Sequence, residues 1–91
     1  MSNNSINFSN YNSHLISRLH GRHIFDEVKD SIDRGSILLL NFDNVSVVTL
    51  SFATELFDSF KSNNISVSIV NANQFVKETL EFAQSSSKVL N

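Results

Sequence analysis

The segment from Ile37 to Leu56, ILLLNFDNVSVVTLSFATEL, constrains the fold more than any other part of this chain. Ile37 to Phe42 reads as a buried strand, apolar on both faces, as parallel strands between helices are. Asp43-Asn44 marks a turn. The β-branched residues Val45, Val47 and Val48 resist helix and keep the chain extended until about Leu50. A helix is expected from about Phe52 to Lys61, with Phe52, Leu56, Phe57 and Phe60 on one face. The junction carries the hydroxyls of Ser46, Thr49 and Ser51 and almost no charge. A strand that opens straight into a helix leaves free backbone N–H groups, to which anions and partner side chains bind. The junction is therefore the first candidate site.

The rest of the chain continues the alternation. Arg22 to Arg34 has helical spacing, with Ile24, Phe25, Val28 and Ile32 on one side and Asp26, Glu27, Asp30 and Asp33 on the other. Gly35 follows at the position where a left-handed residue ends a helix. Asn63-Asn64 stops the second helix. Ile65 to Val70, ISVSIV, alternates as a strand near a sheet edge, with Ser66 and Ser68 outward. Asn71 or Asn73 is expected to cap a third helix whose inner face is Phe75, Val76, Thr79, Leu80 and Ala83, and which Ser85-Ser86-Ser87 ends. Residues 1–13 read as a flexible segment in which Ile6 and Phe8 alternate as a short edge strand, with the first three or four residues disordered. Residues 88–91 read as a tail. The order (β)αβαβα predicts an α/β domain over residues 14–87. Its mainly parallel sheet has three or four strands, with right-handed crossovers and about three helices.

Composition narrows the function. The chain has 91 residues and a formal charge of −2, without the basic excess of a nucleic-acid binder. It has no cysteine, hence no disulfide or thiolate metal site, which fits a reducing compartment. The N-terminal residues lack the basic and apolar regions of a signal peptide, and no apolar run is long enough to cross a membrane. A cytoplasmic protein is expected. With no proline and two glycines, turns must lean on Asn, Asp and Ser.

Ser51 has two readings, an N-cap of the second helix or a phosphoacceptor, and Thr49 is the second phosphoacceptor candidate. A phosphate there would suit the positive end of the helix. Arg18 and Arg22 flank Gly21, with His14, His20 and His23 nearby. The segment reads either as a loop with solvated charges or as an anion or partner contact, since guanidinium pairs with carboxylate and phosphate. No third ligand stands at metal-binding spacing from His20 and His23. Glu55 is either a helix-favouring acid or a partner contact. No histidine is spaced to make it and Ser51 catalytic, so neither an enzyme nor a cofactor is expected.

Three pieces, LISRLHGRHIF, ILLLNFDNVSVVTLSFATELF and VSIVNAN, together resemble STAS-like domains of the DUF4325 type. The matching residues are Ser17, Arg18, Gly21, Phe42, Val45, Ser51, Phe52, Ala53, Glu55, Leu56, Asn71 and Asn73. Asn41 and Thr54 stand where that family usually has Asp, and the Asp-Ser-Ser-Gly of anti-sigma factor antagonists is absent. The resemblance implies a non-enzymatic interaction module that works with an ATP-binding, kinase-like or other regulatory protein. Its contact surface would be the Val45–Leu56 turn, with Val48, Thr49, Ser51 and Glu55, and with Arg18 and Arg22 beside it. Two other readings stay open: a phage or mobile-element inhibitor that blocks a host complex, and a small nucleotide- or anion-binding protein. The strand edge at Ile65–Val70 makes a homodimer a further expectation.

Overall fold

The computed structural model describes residues 4–33 and 35–86. Eight elements follow one another: β1 (Ser5–Asn7), β2 (His14–Leu15), α1 (Arg18–Val28), β3 (Leu38–Asn41), β4 (Val47–Val48), α2 (Leu50–Ser62), β5 (Val67–Val70) and α3 (Gln74–Ser86). Strands β1, β3 and β5 form one parallel sheet in that order, with Ile6 opposite Leu40 and Leu40 opposite Ile69. Strands β2 and β4 form a separate parallel pair, Leu15 opposite Val48. The α/β class, the parallel pairing and the three helices are as the sequence predicts.

The order β1-β3-β5 steps in one direction across the sheet. Two crossovers of the same hand that step the same way place both helices on the same face. Accordingly α1 packs on α2, and α3 packs on the other flank of α2 and against β4. Leu38 and Leu40 point into this helical layer and are buried, whereas Leu39 on the opposite face is 40% exposed. The strand expected to be buried on both faces is thus covered on one.

Residues 4–13 belong to the core rather than leading into it. Ser5–Asn7 is the expected edge strand, but Phe8 leaves it for a 3₁₀ turn over Phe8–Asn10. Its ring is fully buried, stacked on Phe42 at 4.5 Å and edge-on to Phe52 at 6.4 Å. Tyr11 packs partly against the core, and its phenol is held above the ordinary value of 10.0 by burial and by a hydrogen bond to Glu27.

The helix boundaries shift from the sequence expectation. Helix α1 starts at Arg18, not Arg22, because the Ser17 Oγ caps it by accepting from the His20 N–H at 3.0 Å. It ends at Val28, not Arg34. The Ser31 Oγ donates to the Val28 carbonyl at 3.0 Å, and Lys29–Ser31 forms a 3₁₀ turn. Ile32 then reaches the core from extended backbone. Gly35 is not left-handed; its N–H donates to the Asp33 Oδ1 in a side-chain-closed turn. Asn44, Asn64 and Asn71 carry the left-handed φ values, 66°, 57° and 60°. Asn73 caps α3 through a 2.8 Å bond from the Val76 N–H. Val76, Leu80 and Ala83 of α3 are buried as expected, but Phe75 is not. Residues 1–3, Arg34, Ser87 and the tail at 88–91 lie outside the described residues. Among the described residues no helix is long and apolar enough to cross a membrane.

Candidate functional site

Strands β2 and β4 run side by side and each opens into a helix, so the N-termini of α1 and α2 are neighbours. Thr49 makes this junction. Its backbone N–H donates to the Leu15 carbonyl at 3.0 Å, and its hydroxyl donates to the Ile16 carbonyl while accepting from the Phe52 N–H at 3.3 Å. Thr49, not Ser51, is therefore the N-cap of α2. Ser51 is the second residue of the helix and is exposed. The two phosphoacceptor candidates are separated by this geometry: the Thr49 hydroxyl is committed to both strand and helix, and Ser51 faces outward.

The remaining site residues do not form one surface. Val48 is buried beside Leu15 and packs in the core, and it also lines the floor of the groove described below. Arg18 and Arg22 lie on α1, not in a loop, and both reach Glu55 on α2. The Arg18 Nη1 is 3.6 Å from the Glu55 Oε1, and the Arg22 Nη1 donates to the Glu55 Oε2 at 3.1 Å. The Glu55 side chain is 14% exposed, against 66% and 59% for the arginines. The carboxylate thus bridges two helices and leaves one net positive charge outside.

Gly21 permits that bridge. A Cβ there would sit 3.0 Å from the Phe52 carbonyl oxygen and 3.6 Å from the Glu55 Cβ, so the glycine serves the close approach of α1 to α2. Its role is contact across helices, not the loop geometry that the sequence suggests.

A groove between the start of α2 and α3, which sequence reasoning missed, takes in the predicted residues Val48 and Thr49 but not Ser51. Val47, Leu50, Phe75 and Phe82 line about 440 Å3 of mainly apolar space, with Thr49, Glu78 and Thr79 at its margins. Leu50 is 43% exposed, Phe75 59% and Phe82 61%. A signal for it was present. Phe75 and Phe82 are seven residues apart and so share a helix face, one position away from the face of Val76 and Ala83. A helix buried through the second face turns the first outward. Exposed apolar area of this extent, gathered rather than scattered, marks contact surfaces.

Among the described residues no group of three or more His, Cys, Asp or Glu is placed to hold a metal ion. No protein-family model, no curated protein and no solved structure matches this chain. The likeness to STAS-like domains rests on the motif residues of the chain itself.

Proposed function

We propose that this chain is a non-enzymatic protein-interaction module, of the STAS-like kind its motifs resemble, which docks a cytoplasmic ATP-binding regulatory protein at the groove heading α2. The observation that carries the reading is the exposure of Leu50, Phe75 and Phe82 around one groove; the exposed Ser51 follows Leu50 in α2. The occupant is an apolar segment of the partner, with a basic side chain near Glu78 at the margin. Ser51 is the switch. Phosphate on it adds roughly −1.5 to −2 charge units one residue along α2 from the groove's Leu50, while the N-terminal position in α2 tolerates that charge without loss of helix. Partner release, not unfolding, is the effect.

The test is affinity capture from the native host with three chains: native, the double variant Leu50→Glu with Phe82→Glu, and Ser51→Asp. The native chain is expected to retain an ATP-binding protein, and both variants to lose it at least about tenfold while keeping native circular dichroism. Equal capture by the double variant removes the groove from the reading. A captured set without an ATP-binding protein removes the partner class.

A further inference from the structure

We propose that β5 is a self-pairing edge, through which two copies of this chain join antiparallel and extend one sheet across both. The proposal concerns β5, which does not line the α2 groove, and stands independently of that groove.

Strand β5 pairs with β3 on one side only. The parallel ladder takes the Ser66 and Val70 carbonyl oxygens, which accept from the Leu38 and Phe42 N–H groups at 2.9 and 3.0 Å. Hydrogen bonding alternates along a strand, so Val67 and Ile69 turn their N–H and C=O groups to the other side. Unpaired strand edges are templates for another strand, and proteins blunt them with charge, proline or very short length. Strand β5 itself carries neither charge nor proline, and the charged groups near it, Lys77 and Glu81 on α3, lie across a recess from it. No charged residue stands between Lys61 and Lys77, the chain has no proline, and the segment is rich in β-branched residues. The opposite edge, β1, is three residues long and bordered by asparagines.

The edge also matches itself. Ile65-Ser66-Val67-Ser68-Ile69 reads the same in both directions. In an antiparallel pair related by a two-fold axis, each residue meets its mirror position. With the axis at Val67, that residue faces its own copy, Ser66 faces Ser68, and Ile65, which lies before β5 with its N–H donated to the Phe60 carbonyl at 2.9 Å, faces Ile69. Val67 and Ile69 are the residues whose backbone groups point outward, so the Val67 pair exchanges two hydrogen bonds. Val67 and Ile69 lie opposite Leu38 and Leu40 and so point to the helical side, and Ser68 lies opposite Leu39 on the bare side. The pairing therefore joins apolar to apolar and hydroxyl to hydroxyl.

The core is incomplete at this edge. Val67 and Ile69 pack against the core yet are only half-buried, and two recesses border Val67, one of about 400 Å3 that also meets Ser68, Lys77 and Glu81, and one of about 380 Å3 against Phe57, Phe60 and Ile65. A second copy's Val67 would cover its counterpart here, while Ile65 is already buried in its own core.

Sedimentation equilibrium and amide hydrogen exchange over a concentration series test this on the full chain. The expected result is a monomer–dimer equilibrium in which the Val67 and Ile69 amides gain protection as the dimer forms. A pair of charge variants then identifies the edge. Ser66→Lys with Ser68→Lys, and Ser66→Glu with Ser68→Glu, are each expected to be monomeric, and their equal mixture to dimerise. A native chain that stays monomeric at every concentration overturns the proposal. So does a dimer that the lysine pair leaves intact, and so does a mixture that fails to associate. Because the mixture restores what each variant loses, misfolding of a variant is not mistaken for a broken interface.

Discussion

At the scale of single residues, Thr49 and Ser51 show how two hydroxyls close together in the chain acquire different tasks. The Thr49 hydroxyl donates to one element and accepts from another, holding β2 to the start of α2. Its loss removes a helix cap, worth about 1 kcal/mol, and leaves the Ile16 carbonyl without its donor. Thr49→Ala is therefore expected to cost about 1–2 kcal/mol, or roughly 5–10 °C in melting temperature for a domain of this size. Thr49→Ser should recover most of it. Ser51→Ala should stay within about 0.5 kcal/mol, as exposed substitutions do. Thermal unfolding of the three variants checks the assignment, and an equal cost at both positions contradicts it. Which hydroxyl caps the helix was not legible in the sequence. The contacts that choose Thr49 come from Leu15 and Ile16, far away along the chain. The left-handed Asn44 and Asn64 fall at the turn and helix stop that the sequence marks, because a chain with two glycines has few other residues that accept positive φ, whereas Asn71 is left-handed where a cap was one expectation.

At the scale of elements, the contact of α1 with α2 depends on an exchange between propensity and approach. Glycine costs about 1 kcal/mol against alanine inside a helix. At Gly21 that cost is accepted because an added methyl group would press on the Phe52 carbonyl oxygen, a backbone atom, at 3.0 Å. Overpacking of this kind costs about 1–3 kcal/mol, which exceeds the gain in helix propensity. Gly21→Ala is thus expected to lower stability by about 1 kcal/mol, against the sign that propensity alone gives. Glu55→Gln should cost about as much by removing the carboxylate between Arg18 and Arg22. Because Gly21 sets the spacing that the bridge needs, the double variant should cost less than the sum of its parts. Urea unfolding of the four chains in this cycle measures the difference, and strict additivity would separate the glycine from the bridge. The same glycine explains why the start of α1 was misplaced in the sequence. A residue of poor propensity, flanked by Arg and His, resembles a loop until the helix that it touches is known. The end of α1 was hidden for a related reason. Ile32 keeps the helical spacing of Ile24 and Val28 but reaches the core from extended backbone beyond the 3₁₀ turn.

For the molecule as a whole, the class of fold follows from the alternation of apolar strands and amphipathic segments, and that much was legible. The side on which the helices gather was not, because it depends on the order of strands across the sheet, which local periodicity does not encode. One-sided covering leaves Leu39 exposed on the bare face, so the helical layer must supply most of the burial. This gives the N-terminal segment its weight. Phe8 enters that layer, stacked on Phe42 and edge-on to Phe52. Removing a buried phenylalanine ring costs about 3–5 kcal/mol. A domain of this length has a total stability of roughly 5–13 kcal/mol. Phe8→Ala is therefore expected to bring the chain close to its unfolding threshold, with a large fall in urea midpoint. Phe75→Ala, at an exposed ring of the same kind, should shift that midpoint by no more than about 0.5 kcal/mol. Similar losses at the two positions would mean that residues 4–13 do not contribute to the core, and that the helical layer closes without them.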